Sequence, residues 1–327
     1  MCRHFLYSIQ SLRKGSSDRC PDMETGAELI KNDTYVFREK ELFKVFSKEE
    51  FFDALEKISQ KIPENNEELI FLSIDAHGCE EYLELTDLNN NRIEIPWKDI
   101  KPKIIELNKR SKMRLVLMAS CCYGAVFQKA LINQDEAPFY YFFGPIGNIY
   151  GSDILDANND IIENLYYNSD ENIDNLINTL NQQKKNQNGR TAYVSTNACD
   201  IAMVAVENEL ENFLDPFSAI QQIYQKEIQS NLDRIPKEIR ETRIKQCFED
   251  NFNHIYSKEK CKSIFDEIWA RFMLGVPKFR GKPSSDFFEE IWGKTDIVKK
   301  LREIRKNSEI YMIALDAFVK TIPDISV

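Results

Sequence analysis

The segments LIFLSIDAHG (Leu69–Gly78) and LVLMASCCYG (Leu115–Gly124) decide how this chain is read. Each opens as a continuous apolar run of strand length, the pattern of a strand buried on both faces of a parallel sheet. Each then ends on a reactive residue type with glycine close behind. Two such strands lying side by side and parallel would bring His77 and Cys122 to one edge of the sheet. The interval between them leaves room for the crossover connection that parallel neighbours require.

Outward from this pair, strands and helices alternate. His4–Leu12 is expected to be a first strand, followed by a polar loop over Arg13–Thr25. Phe43–Val45 is expected to be a short second strand. Lys48–Ile62 has the helical stripe Phe51, Phe52, Leu55, Ile58 and Ile62, with Ser47 as N-cap. Tyr82–Leu85 and Arg92–Ile95 flank an asparagine-rich turn and predict a hairpin. Asp87, Asn89 and Asn91 echo a calcium loop, but Arg92 replaces its glycine and Lys98 its closing glutamate, so the segment is read as a turn. A helix over Trp97–Leu107, a strand over Met113–Met118, a helix over Tyr123–Leu131 and a strand over Phe139–Phe143 complete the pattern. The predicted class is α/β, a mostly parallel sheet flanked by helices.

The polar stretch Gln182–Gly189 suggests a boundary, giving one domain over 1–185 and a second over 186–327. The second is expected to be all-helical: Ala202–Leu214, Pro216–Leu232, Pro236–Phe248, Lys258–Met273 and Phe287–Lys306 all carry helical periodicity.

With 327 residues, 43% hydrophobic content and 11% aromatics, the composition is that of a folded globular protein. A net charge of -10 opposes nonspecific binding to nucleic acid or to an anionic membrane. No apolar run has membrane-spanning length and the N-terminus lacks a signal-peptide core, so the expected location is cytoplasmic. The eight cysteines form no disulfide framework and are expected to be free thiols. Without a Cys-x-x-Cys pair, and with His4, His77 and His254 isolated from one another, no metal site is expected.

A thiol becomes a nucleophile when a histidine takes its proton, and the same histidine can later protonate a leaving amine. Backbone N–H groups at Gly78 and at Cys122 itself could hold the developing oxyanion. Gly78 and Gly124 would allow sharp turns and close backbone approach. The competing reading makes His77 an ordinary strand-end histidine and Cys121 and Cys122 small core residues. The pairing of the two motifs favours the first.

Over roughly residues 1–185 the chain resembles the caspase-like cysteine peptidases, the group of caspases, metacaspases, gingipains and bacterial relatives. The resemblance lies in the strand ending in His77-Gly78, the hairpin that follows, and Ser120-Cys121-Cys122-Tyr123-Gly124. The Cys-x-Gly spacing of caspases selects Cys122 as nucleophile; a second family pattern, cysteine with glycine three positions on, selects Cys121. Adjacent residues of an extended chain point to opposite sides, so one of the two faces His77. The family glutamine before the nucleophile is missing. The resemblance implies an endopeptidase with a Cys-His dyad, a protein or peptide substrate, and no metal or organic cofactor. It also implies a place in bacterial defence or cell death, by cleavage that activates an effector. The helical domain would bind substrate, a regulator or a second copy.

Two alternatives remain at this level: a catalytically silent interaction module of the same fold, and a thiol redox sensor using Cys121 and Cys122. Asp153 and Asp156 could receive a basic substrate side chain, or be solvated carboxylates at a helix start. Gly293-Lys294-Thr295 ends like a phosphate-binding loop but lacks its first glycine, where Phe288 stands.

Overall fold

The computed structural model describes residues 4–11, 24–35, 37–64, 68–131, 136–167, 175–178, 181, 192–212, 214–225, 239, 242–243, 245–246, 257–276, 278–279, 282–306 and 309–321. The chain falls into two compact units, Met1–Ile201 with Arg271–Val276, and Ala202–Ala270 with Pro277–Val327.

The first unit is α/β. Its elements are β1 (Phe5–Ser11), α1 (Thr25–Lys31), β2 (Glu39–Lys44), α2 (Lys48–Lys61), β3 (Ile70–Gly78), β4 (Tyr82–Thr86), β5 (Arg92–Pro96), α3 (Trp97–Arg110), β6 (Leu115–Ser120), α4 (Gly124–Leu131), β7 (Tyr141–Pro145), α5 (Gly151–Tyr167) and β8 (Tyr193–Asn197). The sheet order is β2-β1-β3-β6-β7-β8, and β4 and β5 form a hairpin continuing from the end of β3. β2, β1, β3, β6 and β7 are parallel, and β8 runs antiparallel beside β7. Helices α1 and α5 cover one face; α2, α3 and α4 cover the other.

The central strands are buried along almost their whole length because helices shield both faces. Helix α2 begins where expected, its Ser47 hydroxyl accepting the Glu50 N–H at 3.1 Å. The Asp87 carboxylate accepts the Asn89 and Asn91 amides at 2.8 and 2.7 Å, so this segment is the predicted turn.

Several expectations need correction. α1 is unexpected; it starts at Thr25, the last residue of the expected loop Arg13–Thr25, most of which lies outside the described residues. β2 starts at Glu39, earlier than Phe43, because its half-exposed edge pattern carries no apolar run. β6 starts at Leu115, since Lys112 and Met113 adopt φ of 54° and 60° and still belong to the turn after α3. β8 lies beyond the expected boundary at 185/186 yet pairs with β7, so the α/β unit extends to Ile201. The boundary segment 182–189 and the expected helix over Pro236–Phe248 lie wholly or mostly outside the described residues.

The second unit is helical over Pro216–Ile223, Ser284–Lys294, Asp296–Lys306 and Glu309–Thr321, with parts of Ala198–Glu211 and Lys258–Phe272. It is not purely helical, because Lys278–Phe279 pairs antiparallel with Lys282–Pro283. The single helix expected over Phe287–Lys306 is two, broken at Thr295, which has an extended ψ of 141°. Stacked aromatics, among them Phe265 on Trp269 and Trp269 on Phe287, build its core. Among the described residues, no helix is long and apolar enough to cross a membrane.

Candidate active site

The register of β3 against β6 sets the geometry. Their last paired residues are Asp75 and Ser120. Two residues further along each chain stand His77 and Cys122, at the same edge of the sheet. Both are half-buried, whereas the residues just below them are fully covered.

Glycines bring the strand ends together. A Cβ added to Gly78 would lie 2.6 Å from the Cys122 carbonyl oxygen, so only glycine permits this approach. Gly124 packs just as closely, 2.7 Å from an added Cβ to the Ala119 carbonyl oxygen. Neither glycine makes a turn through positive φ, contrary to expectation. That task falls to Tyr123, whose φ of 56° is unusual for a bulky residue. The strand therefore turns sharply into α4 one residue after Cys122. The Tyr123 N–H donates to the Gly147 carbonyl at 3.0 Å, and the Gly124 N–H to the Cys121 carbonyl at 3.1 Å, closing the turn.

The hairpin fixes the Gly78 amide. The Cys79 N–H donates to the Tyr82 carbonyl at 3.1 Å, which makes that pair a hydrogen-bonded one. Antiparallel pairs alternate, so Gly78 opposite Leu83 is a non-hydrogen-bonded pair and its N–H is directed away from β4. The Trp97 indole N–H donates to the Cys79 carbonyl at 3.1 Å and pins the same corner from α3.

The two candidate cysteines differ in surroundings. Cys121 is 1% exposed and lies beside Gly78, its Sγ 3.3 Å from the position of an added Cβ there. Burial pushes its thiol well above the ordinary cysteine range, with the neighbouring Cys122 sulfur and the Asp75 carboxylate adding to the shift. Cys122 is partly exposed, and its Sγ lies 3.9 Å from the Ile149 carbonyl in the loop after β7.

Sequence reasoning missed what lies beneath. Gln10, Asp75 and Ser120 stand level across β1, β3 and β6. All three are buried, on the sheet face covered by α1 and α5. The Ser120 hydroxyl is 2.9 Å from Asn158 Nδ2 of α5 and 2.8 Å from the Ser73 hydroxyl. The signal was present as a period of two, Ser73, Asp75 and His77 within an otherwise apolar run.

Of the two acids after β7, Asp156 is exposed but Asp153 is 2% exposed, so Asp153 is not a solvated helix-start carboxylate. The Tyr193 hydroxyl is held in its neutral form by burial first, then by Asp153 and the two thiols. Gly293 and Lys294 belong to the helix Ser284–Lys294, so they form no phosphate loop. Among the described residues, no three histidine, cysteine or acidic side chains are grouped to hold a metal ion.

No protein-family model matches this sequence, and no curated protein matches it either.

Proposed function

We propose that the chain is a caspase-like cysteine endopeptidase, with Cys122 as nucleophile and His77 as its general base and acid. The observation that carries this is the β3–β6 register, which sets both residues at one sheet edge beside a glycine close to Cys122. The burial of Cys121 supports the choice between the two thiols.

The chemistry follows from the placement. As the Cys122 sulfur attacks the scissile carbonyl carbon, His77 takes the thiol proton. The carbonyl oxygen becomes an oxyanion, which accepts hydrogen bonds from the Gly78 and Cys122 amides. When the C–N bond breaks, His77 gives the proton to the departing amine and leaves a thioester. A water molecule then gives a proton to His77 and attacks the thioester, releasing the carboxylic acid and restoring the thiol. Water is the only co-reactant.

The test is a brief iodoacetamide pulse at mildly acidic pH, mapped by mass spectrometry. Cys122 should label about a hundredfold faster than an ordinary thiol, and only while His77 is present. Cys121 should stay unlabelled. In a peptide-library digest, Cys122→Ala should abolish cleavage and Cys121→Ala should retain it. Slow, uniform labelling, with cleavage indifferent to Cys122, would sink the assignment.

A further inference from the structure

We infer that Glu84 is a positioning residue of the proposed site, its carboxylate accepting a ring N–H of His77 from the side opposite Cys122. This rests on the peptidase function proposed above, with His77 as base and acid.

The order of strands sets the three residues in a row. β6 lies on one side of β3 and leads to Cys122. On the other side β1 pairs with β3 only as far as Ser11 and Ala76, and β4 takes over from there. The Thr86 N–H donates to the Ser11 hydroxyl at 3.0 Å, which seats β4 on the end of β1. His77 pairs directly with Glu84 across this join. Side chains of directly opposite residues share a face, with Cβ atoms about 4.5–5.5 Å apart. His77 thus stands between a thiol and a carboxylate.

The surroundings of Glu84 differ from those of an ordinary surface ion pair. Its side chain is 15% exposed, against 53% for Glu94, its partner on β5. Arg92 Nε lies 2.8 Å from Glu84 Oε2 and 3.3 Å from Glu94 Oε1. The guanidinium carbon sits 4.7 Å from the centre of the Tyr82 ring, so the arginine is itself held in place. Opposed carboxylates repel, and the single guanidinium offsets one of the two charges. One negative charge is left beside His77.

An imidazole base needs such a partner. The neutral ring has one N–H and one bare nitrogen, and only the bare nitrogen can take the Cys122 proton. A carboxylate that holds the N–H selects the tautomer, aims the bare nitrogen at Cys122, and faces the positive ring that forms. The proton passes from Cys122 Sγ to that nitrogen, while the other N–H stays on the ring and Glu84 remains a carboxylate. Asp75 shares the face but lies two residues back along β3, a rise of about 6.6 Å. Its Oδ2 accepts the Gly26 N–H at 2.7 Å.

The experiment measures peptide cleavage and Cys122 alkylation by iodoacetamide in the full-length protein and in four variants. Glu84→Gln keeps the shape of the side chain and removes its charge. Its kcat should fall about a hundredfold with KM within about twofold, and Cys122 alkylation should slow about tenfold. Glu84→Asp keeps the charge but draws it back by one methylene, so kcat should fall only about tenfold. Glu94→Gln makes the same change one strand further from His77, against the same arginine, and should stay within about twofold of wild type. Because Glu84 acts through His77, adding Glu84→Gln to His77→Ala should leave Cys122 alkylation unchanged.

Equal losses at Glu84 and Glu94 would reveal a shared charge effect and overturn the inference. So would a lower melting temperature with a raised KM, the signs of a disturbed hairpin, or a further loss in the His77→Ala background. Wild-type kcat in Glu84→Asp overturns it even where Glu84→Gln does not fold. If alkylation of Cys122 depends on His77 but not on Glu84, the dyad stands and only this inference falls. Ordinary alkylation of Cys122 with no cleavage overturns the peptidase function, and this inference with it.

Discussion

Cys121 and Cys122 are neighbours in sequence but belong to opposite faces of one sheet, and the two faces differ in kind. The face under α2, α3 and α4 is apolar up to the strand ends: Ile9, Ile74, Ala76 and Ala119 lead to Cys121, and all are buried. The face under α1 and α5 becomes polar as it approaches the same edge: Ser8 and Ser73, then Gln10, Asp75 and Ser120. His77 follows the second face by the alternation of the strand. One face supplies packing energy and holds a thiol inert. The other gives up apolar contact to place acceptors beneath the proposed His77–Cys122 pair.

The sharpest way to break this contrast is to shorten adjacent residues on the two faces. Leu72→Ala should cost about 2–5 kcal/mol through lost burial and a cavity. Ser73→Ala, one position on, should cost about 1 kcal/mol, the worth of its bond to Ser120. Equal shifts in urea unfolding would mean that the faces are not energetically distinct.

Next in size is Gly78→Ala, which forces a methyl against the Cys122 carbonyl where the faces meet. About 1–3 kcal/mol of stability should be lost, and peptide cleavage with it. Gly293→Ala, whose added Cβ would meet nothing within 4 Å, is the control and should raise the melting temperature or leave it unchanged. A Gly78→Ala protein with wild-type melting and cleavage would show that the close approach is dispensable.

The smallest effect sharpens the polar side. His4 lies on that face at the far end of β1, and its Nδ1 accepts the Leu69 N–H at 3.1 Å. Burial lowers its pKa below the ordinary 6.5, against a weaker opposing pull from Glu68. The folded protein thus keeps His4 neutral while the unfolded chain takes up a proton. Its stabilising contribution is whole above pH 6.5 and is lost as pH falls towards the folded pKa, by at most about 1.4 kcal/mol per unit. Urea midpoints at pH 7.5 and 5.5 should differ more in the wild type than in His4→Phe. Identical slopes would remove His4 from the account.

Much of the frame was legible because its signals are local. Continuous apolar runs announced β3 and β6, Ser47 announced α2, and the asparagines announced the hairpin turn. What escaped notice depends on partners distant in sequence. α1 has no capping side chain of its own, and its first amides are held by Gln10 and Asp75 from two other strands. β8 is a short edge strand whose polar middle gives no run to read. At the site, His77 and Cys122 were visible as residue types with glycine nearby. The turn was assigned to glycine, however, when close approach between strands demanded the glycines and left the strained φ to Tyr123.

The pairing of β3 with β6 also bears on when the proposed site forms. The thiol and the imidazole come from strands separated by a hairpin and a helix, and such non-local parallel pairings form slowly. A chain still emerging during synthesis has His77 before it has Cys122, and neither is aligned until the two strands zip together. For the peptidase proposed above, chemical competence would therefore arrive late in folding, and nascent or unfolded molecules would be silent.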